Sequence, residues 1–169
     1  RIAEAPGGML NAVGLQNPGV DHFIREDLPW LREQGTRIIA NIAGNTPEDY
    51  CAMAEKLSDS DVDMIEMNIS CPNVKQGGVQ FGTSCEGVGS ITAAVRKHSK
   101  KPLMVKLSPN VSDIGEIAAA AEAAGADAIS LINTLTGMRI DIRTRRPIIR
   151  NNTGGLSGPA VFPGAVRMV

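Results

Sequence analysis

Four times along the chain, a short apolar run gives way to a segment with helical spacing. The first strand is predicted over Thr36 to Ala43, and Thr46-Pro47-Glu48-Asp49 then opens a helix to about Ser58, with Thr46 as cap and Pro47 in the first helical position. A second strand is predicted over Met64 to Ser70, followed by a long loop from Pro72 to Ser84 and a helix to about Ser99. The third strand spans Leu103 to Leu107 and leads to a helix over Asp113 to Ala124, stopped by Gly125. The fourth spans Ala128 to Asn133, after which an irregular stretch leads to a short helix beginning near Gly158. Ahead of the repeat, Arg1 to Gly8 reads as irregular, Met9 to Gly19 as an extended loop, and Val20 to Gln34 as helical with a break before Pro29.

Strands alternating with helices of this length imply right-handed βαβ crossovers and a parallel sheet. The polar residues on these strands fall at one end. Asn41, Asn68, Lys106 and Asn133 each lie at or near the C-terminal end of an otherwise mostly apolar run. A polar group buried without a partner costs a few kcal/mol, so four at equivalent ends imply a shared polar site where α/β proteins bind ligands. There is no G-x-G-x-x-G after the first strand and no G-x-x-x-x-G-K-[ST] anywhere. The expected fold is therefore α/β, a partial (β/α)8 barrel with about four βα units. Residues 1–169 read as one incomplete barrel domain, with N- and C-terminal parts expected to be missing.

Composition narrows the class without naming a reaction. The 169 residues are 43% hydrophobic and carry 17 basic against 18 acidic side chains, which gives no reason to expect nucleic acid or an anionic membrane as partner. No apolar run approaches the roughly 18 residues of a spanning helix, and a cytoplasmic location is the expectation. Three cysteines, Cys51, Cys71 and Cys85, form no C-x-x-C pair, and the two histidines, His22 and His98, leave few co-ligands. No metal site is expected. One functional and two structural thiols are the preferred reading over a Cys71–Cys85 disulfide.

The chemistry concentrates in Asn68-Ile69-Ser70-Cys71-Pro72-Asn73. A thiol between two amides at a strand exit suits proton abstraction, since its ordinary pKa of about 8.5 allows deprotonation at modest cost. The alternative is a small buried core residue. Lys106 is a lone cation on a buried strand whose partner is either an anionic ligand or, structurally, Glu66 on the neighbouring strand. Asn11, Asn68, Asn73 and Asn133 offer donors and acceptors suited to a planar ring. Gly154-Gly155-Leu156-Ser157-Gly158-Pro159 allows close backbone approach to a ligand or is a plain turn. Gly77-Gly78 with Phe81-Gly82 suggest a flexible lid. Cys51 reads as core, Cys85 as a helix-start thiol, and both histidines as helix-surface residues.

The segments Asn68 to Gly78, Lys106-Leu107-Ser108-Pro109-Asn110, Asn133-Thr134-Leu135-Thr136-Gly137-Met138 and Gly154 to Pro159, in this order, resemble class 1 dihydroorotate dehydrogenases, most closely the 1B, NAD-linked catalytic subunit. The resemblance runs from about Met9 to Val169. It implies a (β/α)8 barrel holding FMN at its mouth and oxidising dihydroorotate to orotate in pyrimidine synthesis. By the same resemblance Cys71 is the catalytic base, and Asn11, Ala12, Val13, Gly14, Leu15, Asn68, Asn73, Asn133 and Thr134 hold substrate. Asn41, Asn68, Lys106, Ile132 and Gly158 are the implied flavin contacts. The implied assembly is a homodimer with a partner subunit carrying FAD and an iron–sulfur cluster. The family's early serine and lysine, and two later glycine-rich strand ends that hold the phosphate, have no counterpart in this chain. A dihydropyrimidine dehydrogenase-like flavin domain and a non-catalytic half-barrel binding module are the alternatives.

Overall fold

The structure is a computed structural model that describes residues 1–70 and 81–169. In chain order its elements are β1 (Ile2–Ala5), β2 (Gly8–Asn11), α1 (Val20–His22), a π-helical turn (Phe23–Asp27), α2 (Leu28–Glu33), β3 (Ile39–Ile42), α3 (Pro47–Ser58) and β4 (Met64–Asn68). After a 3₁₀ turn (Phe81–Thr83) come α4 (Cys85–His98), β5 (Leu103–Lys106), α5 (Ile114–Ala123), β6 (Ala128–Ser130), β7 (Leu135–Gly137), β8 (Ile140–Asp141), β9 (Arg146–Pro147) and β10 (Gly154–Ser157). A 3₁₀ turn (Pro159–Val161) and α6 (Phe162–Met168) complete the chain.

The predicted repeat is present. Strands β3 to β6 form a parallel sheet in sequential order. Helix α3 begins with a capping box: Thr46 accepts from the Asp49 amide, and the Asp49 side chain accepts from the Thr46 amide. Ser84 and Asp113 cap α4 and α5 in the same manner, each side chain accepting from the helix's free first-turn amides.

Side-chain alternation divides the sheet into two faces. Ala40, Ile42, Ile65, Met67, Leu103 and Val105 are buried, packed in one cluster with Tyr50, Ala54 and Leu57 of α3, Val88, Ile91 and Val95 of α4, and Ile117 and Ala121 of α5. All three crossover helices therefore cover the same face. A doubly wound sheet would place helices on both faces and reverse its strand order at a switch point. Sequential strands with helices on one side are the geometry of a barrel wall, so these four strands and their three crossover helices make a partial (β/α)8 barrel.

Three segments differ from expectation. The break expected before Pro29 is a π turn, so the helix passes through proline: the wider turn accommodates a residue that has no N–H to give and whose ring crowds the preceding carbonyls. The irregular start and the extended loop contain β1 and β2, which pair antiparallel with each other and, through β2, with β10 and β7 in a second sheet. The irregular stretch after the fourth strand contains β7 and the β8–β9 hairpin. These strands are two to four residues long, and β2, β7 and β10 contain glycine. Two of the pairings are short local hairpins, and the one that joins β2 to β10 is remote in sequence, so no run of alternation is long enough to announce them.

At the N-terminal edge of the parallel sheet one device occurs twice. Asp63 precedes β4, and its Oδ2 accepts from the Ile38 amide at 2.8 Å and from Arg32 of α2 at 2.9 Å, while Oδ1 accepts from Arg37 at 2.8 Å. Asp127 precedes β6, and its Oδ2 accepts from the Leu103 amide at 2.8 Å and from Arg96 of α4 at 2.7 Å. Each aspartate thus ties its own strand to the start of the preceding strand and to an earlier helix.

The Ile38 amide, then Arg37 and Arg32, draw the Asp63 carboxyl from an ordinary 3.8 down to about 2. A depressed folded-state value means that the contribution to stability is complete above the unfolded value, near pH 4, and is lost as pH falls through about 2. Asp63→Asn is expected to lower the melting temperature at neutral pH and to remove part of the wild-type loss between pH 4 and 2. Thermal melts across that range test this; parallel wild-type and variant profiles would contradict it.

Candidate active site

The second face of the parallel sheet carries no helix. Its side chains are Ile39 and Asn41 on β3, Met64, Glu66 and Asn68 on β4, Met104 and Lys106 on β5, and Ala128 and Ser130 on β6, all half-buried or exposed. Backbone register sets Asn41 opposite Glu66, Asn68 opposite Lys106, and Lys106 opposite Ser130. Three of the four predicted strand-end polar residues, Asn41, Asn68 and Lys106, therefore share this face. Asn133 follows the shorter β6 and joins them through its side chain.

Glu66 lies at the centre. Its Oε2 accepts from Asn41 Nδ2, and its Oε1 accepts from Ser130 Oγ at 2.7 Å, so the carboxylate reaches across β5 to link β3, β4 and β6. The alternative partner for Lys106 is thereby removed, since Lys106 forms no ion pair with Glu66 or with any other described residue. A half-buried ammonium on a polar sheet face is suited to an anionic ligand.

Asn68 Oδ1 accepts from Asn133 Nδ2 at 2.8 Å and from the Ser70 amide at 3.3 Å. With its oxygen occupied, Asn68 presents Nδ2, which has no partner among the described residues. Asn133 Oδ1 accepts from the Thr134 amide at 2.8 Å. Asn110, which sequence reasoning left in a motif without a role, donates Nδ2 to the Thr134 carbonyl at 3.0 Å and accepts from the Thr136 amide at 3.0 Å. It fastens the turn after β5 to the segment joining β6 and β7. Ile132 is half-buried between β6 and Asn133.

The second sheet delivers the remaining candidates. Asn11, at the end of β2, donates to the Gly155 carbonyl at 3.4 Å. A methyl group added at Gly155 would sit 2.2 Å from Thr134 Oγ1, so Asn11 and Thr134 meet around this residue. Ala12, Val13, Gly14 and Leu15 continue from Asn11, the first two half-buried and the last two exposed. Gly158 has φ +123°, and a Cβ there would lie 2.5 Å from the Gly8 Cα. Its backbone packs closely against the turn between β1 and β2, which is reason enough for a glycine.

Cys71 and Asn73 lie outside the described residues, as do Gly77 and Gly78. The two described ends of that segment are tightly held. Tyr50 donates its hydroxyl to the Asn68 carbonyl at 2.7 Å, and its ring meets Phe81 edge to face, with centroids 6.3 Å apart. Gly82 is buried, and a Cβ there would approach the Ile69 carbonyl to 2.8 Å. Phe81-Gly82 are thus an anchor rather than part of a lid. Tyr50, the one tyrosine, was missed because a helix tyrosine reads as core; only its hydroxyl hinted at a buried acceptor.

The other thiols sit apart from this face. Cys51, on α3, packs against the core, and burial, then Glu48, push its thiol pKa up. Cys85 is the exposed first residue of α4. His98 is exposed, and His22 is half-buried on its helix. Among the described residues no group of three His, Cys, Asp or Glu could hold a metal, and no helix is long and apolar enough to cross a membrane. An open hollow of about 620 Å³ beside β8 and β9, lined by Asp141, Thr144, Arg146, Pro147 and Ile148, contains none of the site residues.

The model of a protein family described as dihydroorotate dehydrogenase matches residues 1–169. Among curated relatives, the "Dihydroorotate dehydrogenase B (NAD(+)), catalytic subunit" of Alkaliphilus oremlandii (strain OhILAs) is 64% identical over 169 residues, covering 100% of this chain and 56% of the relative. The protein of the same name from Alkaliphilus metalliredigens (strain QYMF) gives the same identity and coverage. That from Geobacillus kaustophilus (strain HTA426) is 57% identical over 170 residues, covering 100% of this chain and 54% of the relative. The chain spans about half the length of these relatives. Sequential βα units, the shared polar face and the full-length family match agree: the chain belongs to the dihydroorotate dehydrogenase family.

Proposed function

We infer that this chain contributes the substrate-facing half of a flavin enzyme that oxidises dihydroorotate to orotate. The observation that carries the reading is the uncovered sheet face, where Asn41, Asn68 and Lys106 lie together and the segment bearing Cys71 departs from the end of β4. A polar face of this kind, on a wall otherwise packed with apolar side chains, suits a flat, polar, partly anionic ligand better than a structural role. The names of the relatives supply the substrate class.

The donor set fits FMN. Lys106 is a cation unpaired among the described residues, Asn68 presents an amide donor, and Asn41 lies on the same face beside Glu66. Gly158, at the Gly8 turn, and Ile132 are the remaining contacts assigned to the flavin. Bound FMN supplies the acceptor for the hydride that leaves C6 of dihydroorotate. Cys71 removes the proton from C5, so that one hydride and one proton depart and a carbon–carbon double bond forms. Asn68, Asn73, Asn133 and Thr134, with Asn11 to Leu15, hold the pyrimidine by its amide and carboxylate groups. Lys106 would hold a positive charge beside the bound ring, where it would offset negative charge.

The partner in this reading is a subunit carrying FAD and an iron–sulfur cluster that passes electrons to NAD, within an assembly built on a homodimer of the catalytic chain. The location is the cytoplasm. The decisive experiment is anaerobic mixing of the flavin-loaded protein, at its relatives' full length, with substrate. Dihydroorotate is expected to bleach the flavin absorbance; bleaching by dihydrouracil alone would replace this reading with the dihydropyrimidine alternative.

Two variants test the assigned roles. Cys71→Ser is expected to bind FMN normally and to slow flavin reduction about 100-fold or more, the range set by loss of a general base; stopped-flow measurement giving an unchanged rate would remove Cys71 from the mechanism. Lys106→Met is expected to raise the FMN dissociation constant about tenfold, the scale of one charge-assisted hydrogen bond, as measured by fluorescence titration of the apoprotein. Affinity equal to wild type would show that the ammonium serves something else.

A further inference from the structure

Glu66 is the one acid on the uncovered face among the described residues, and it makes no ion pair. What it does make are two hydrogen bonds on either side of its own strand, from Asn41 Nδ2 and from Ser130 Oγ. A carboxylate can only accept. An asparagine beside it must therefore turn its NH₂ inward and its carbonyl oxygen away. Ser130, donating from the far side at 2.7 Å, fixes the carboxylate plane.

The neighbouring amide is set the opposite way. Asn68 Oδ1 is filled by Asn133 Nδ2 and by the Ser70 amide, leaving Nδ2 as its available group. The face thus presents a pattern: an acceptor from β3, a donor from β4 and a cation from β5. A heterocycle edge that alternates a ring N–H with carbonyl oxygens is complementary to that order, whereas an amide free to rotate would fit either polarity and select neither.

We propose that Glu66 is a positioning residue, which holds Asn41 with its oxygen toward the ligand so that the site accepts a ring N–H there. The inference rests on the flavin-site reading and deepens it. The orienting part is the acceptor oxygen of Glu66, not its charge. A glutamine can keep that oxygen on Asn41 Nδ2 while its own NH₂ donates to Ser130 Oγ, since a hydroxyl can accept as well as donate.

The test uses FMN itself, titrated into the apoprotein at its relatives' full length, with dissociation constants from fluorescence and the absorption spectrum of bound flavin recorded alongside. Glu66→Leu is expected to weaken FMN binding about tenfold and to shift the flavin bands, because Asn41 is released. Glu66→Gln is expected to stay within about threefold of wild type, with an unshifted spectrum. In an Asn41→Ala background, Glu66→Leu is expected to cost less than about twofold more, since the two residues act as one unit.

Glu66→Ala replaces the leucine variant if circular dichroism shows that the latter does not fold. Additive losses in the double variant, or a glutamine variant as weak as the leucine one, would overturn the proposal by showing an independent or purely electrostatic role. Wild-type affinity in the leucine variant would overturn it as well. A wild-type protein that binds no FMN would instead bring down the flavin-site reading and this inference with it, so the two failures are separable.

Discussion

The structure depends on one packing constraint: crossover helices α3, α4 and α5 cover a single face of the parallel sheet. Because side chains alternate along a strand, that choice sorts every residue by parity. Ile65 and Met67 go under the helices, and Glu66 and Asn68 go to the other side. A register slip of one residue would drive a carboxylate and an amide into the apolar layer and push two large hydrophobic groups out. The cost of burying such groups without partners, a few kcal/mol each, is what makes the register unambiguous. The same force that builds the core therefore places the polar site, and no separate device is needed to gather its members.

Gathering is not enough for recognition, because an amide offers opposite chemistry at its two ends. On this face the ambiguity is removed by neighbours of fixed character. Glu66 only accepts, and the Ser70 amide only donates, so Asn41 and Asn68 are set with opposite polarity. Lys106, which has no described counter-ion, adds a charge of fixed sign. The face then has a direction as well as a location. A Glu66–Lys106 pair would instead neutralise the cation and free Asn41 at once.

Much of this was legible in the sequence because it is local. Thr46 and Asp49 announce a helix start within four residues, and the strand-end positions of Asn41, Asn68 and Lys106 follow from periodicity alone. The resemblance to dihydroorotate dehydrogenases added the family, which the full-length match bears out. What escaped is non-local. In the second sheet the β2–β10 pairing joins residues more than a hundred positions apart, and the glycines of β10 and its end, chosen for close approach at Thr134 and Gly8, erase the alternation that would mark a strand. Asn110 looked like a turn residue since its two partners lie on another loop. Glu66 was legible only as a possible salt-bridge partner, because sequence shows which charges exist and not which hydrogen bonds they prefer. The Asp63 and Asp127 clamps escaped as well, because their amide partners lie at the start of the preceding strand.

The thiols show how placement outweighs residue type. Cys51 is pressed against the core, where burial and the nearby Glu48 hold the proton on sulfur. Cys85 begins a helix on the surface, with nothing around it to exclude water from a reaction. The segment carrying Cys71 leaves from the end of β4, the strand that supplies Asn68 and Glu66. Tyr50 touches both of its described ends, through the Asn68 carbonyl and the Phe81 ring. The core tyrosine of α3 therefore ties the exit of the strand that supplies Asn68 and Glu66 to the turn that leads into α4.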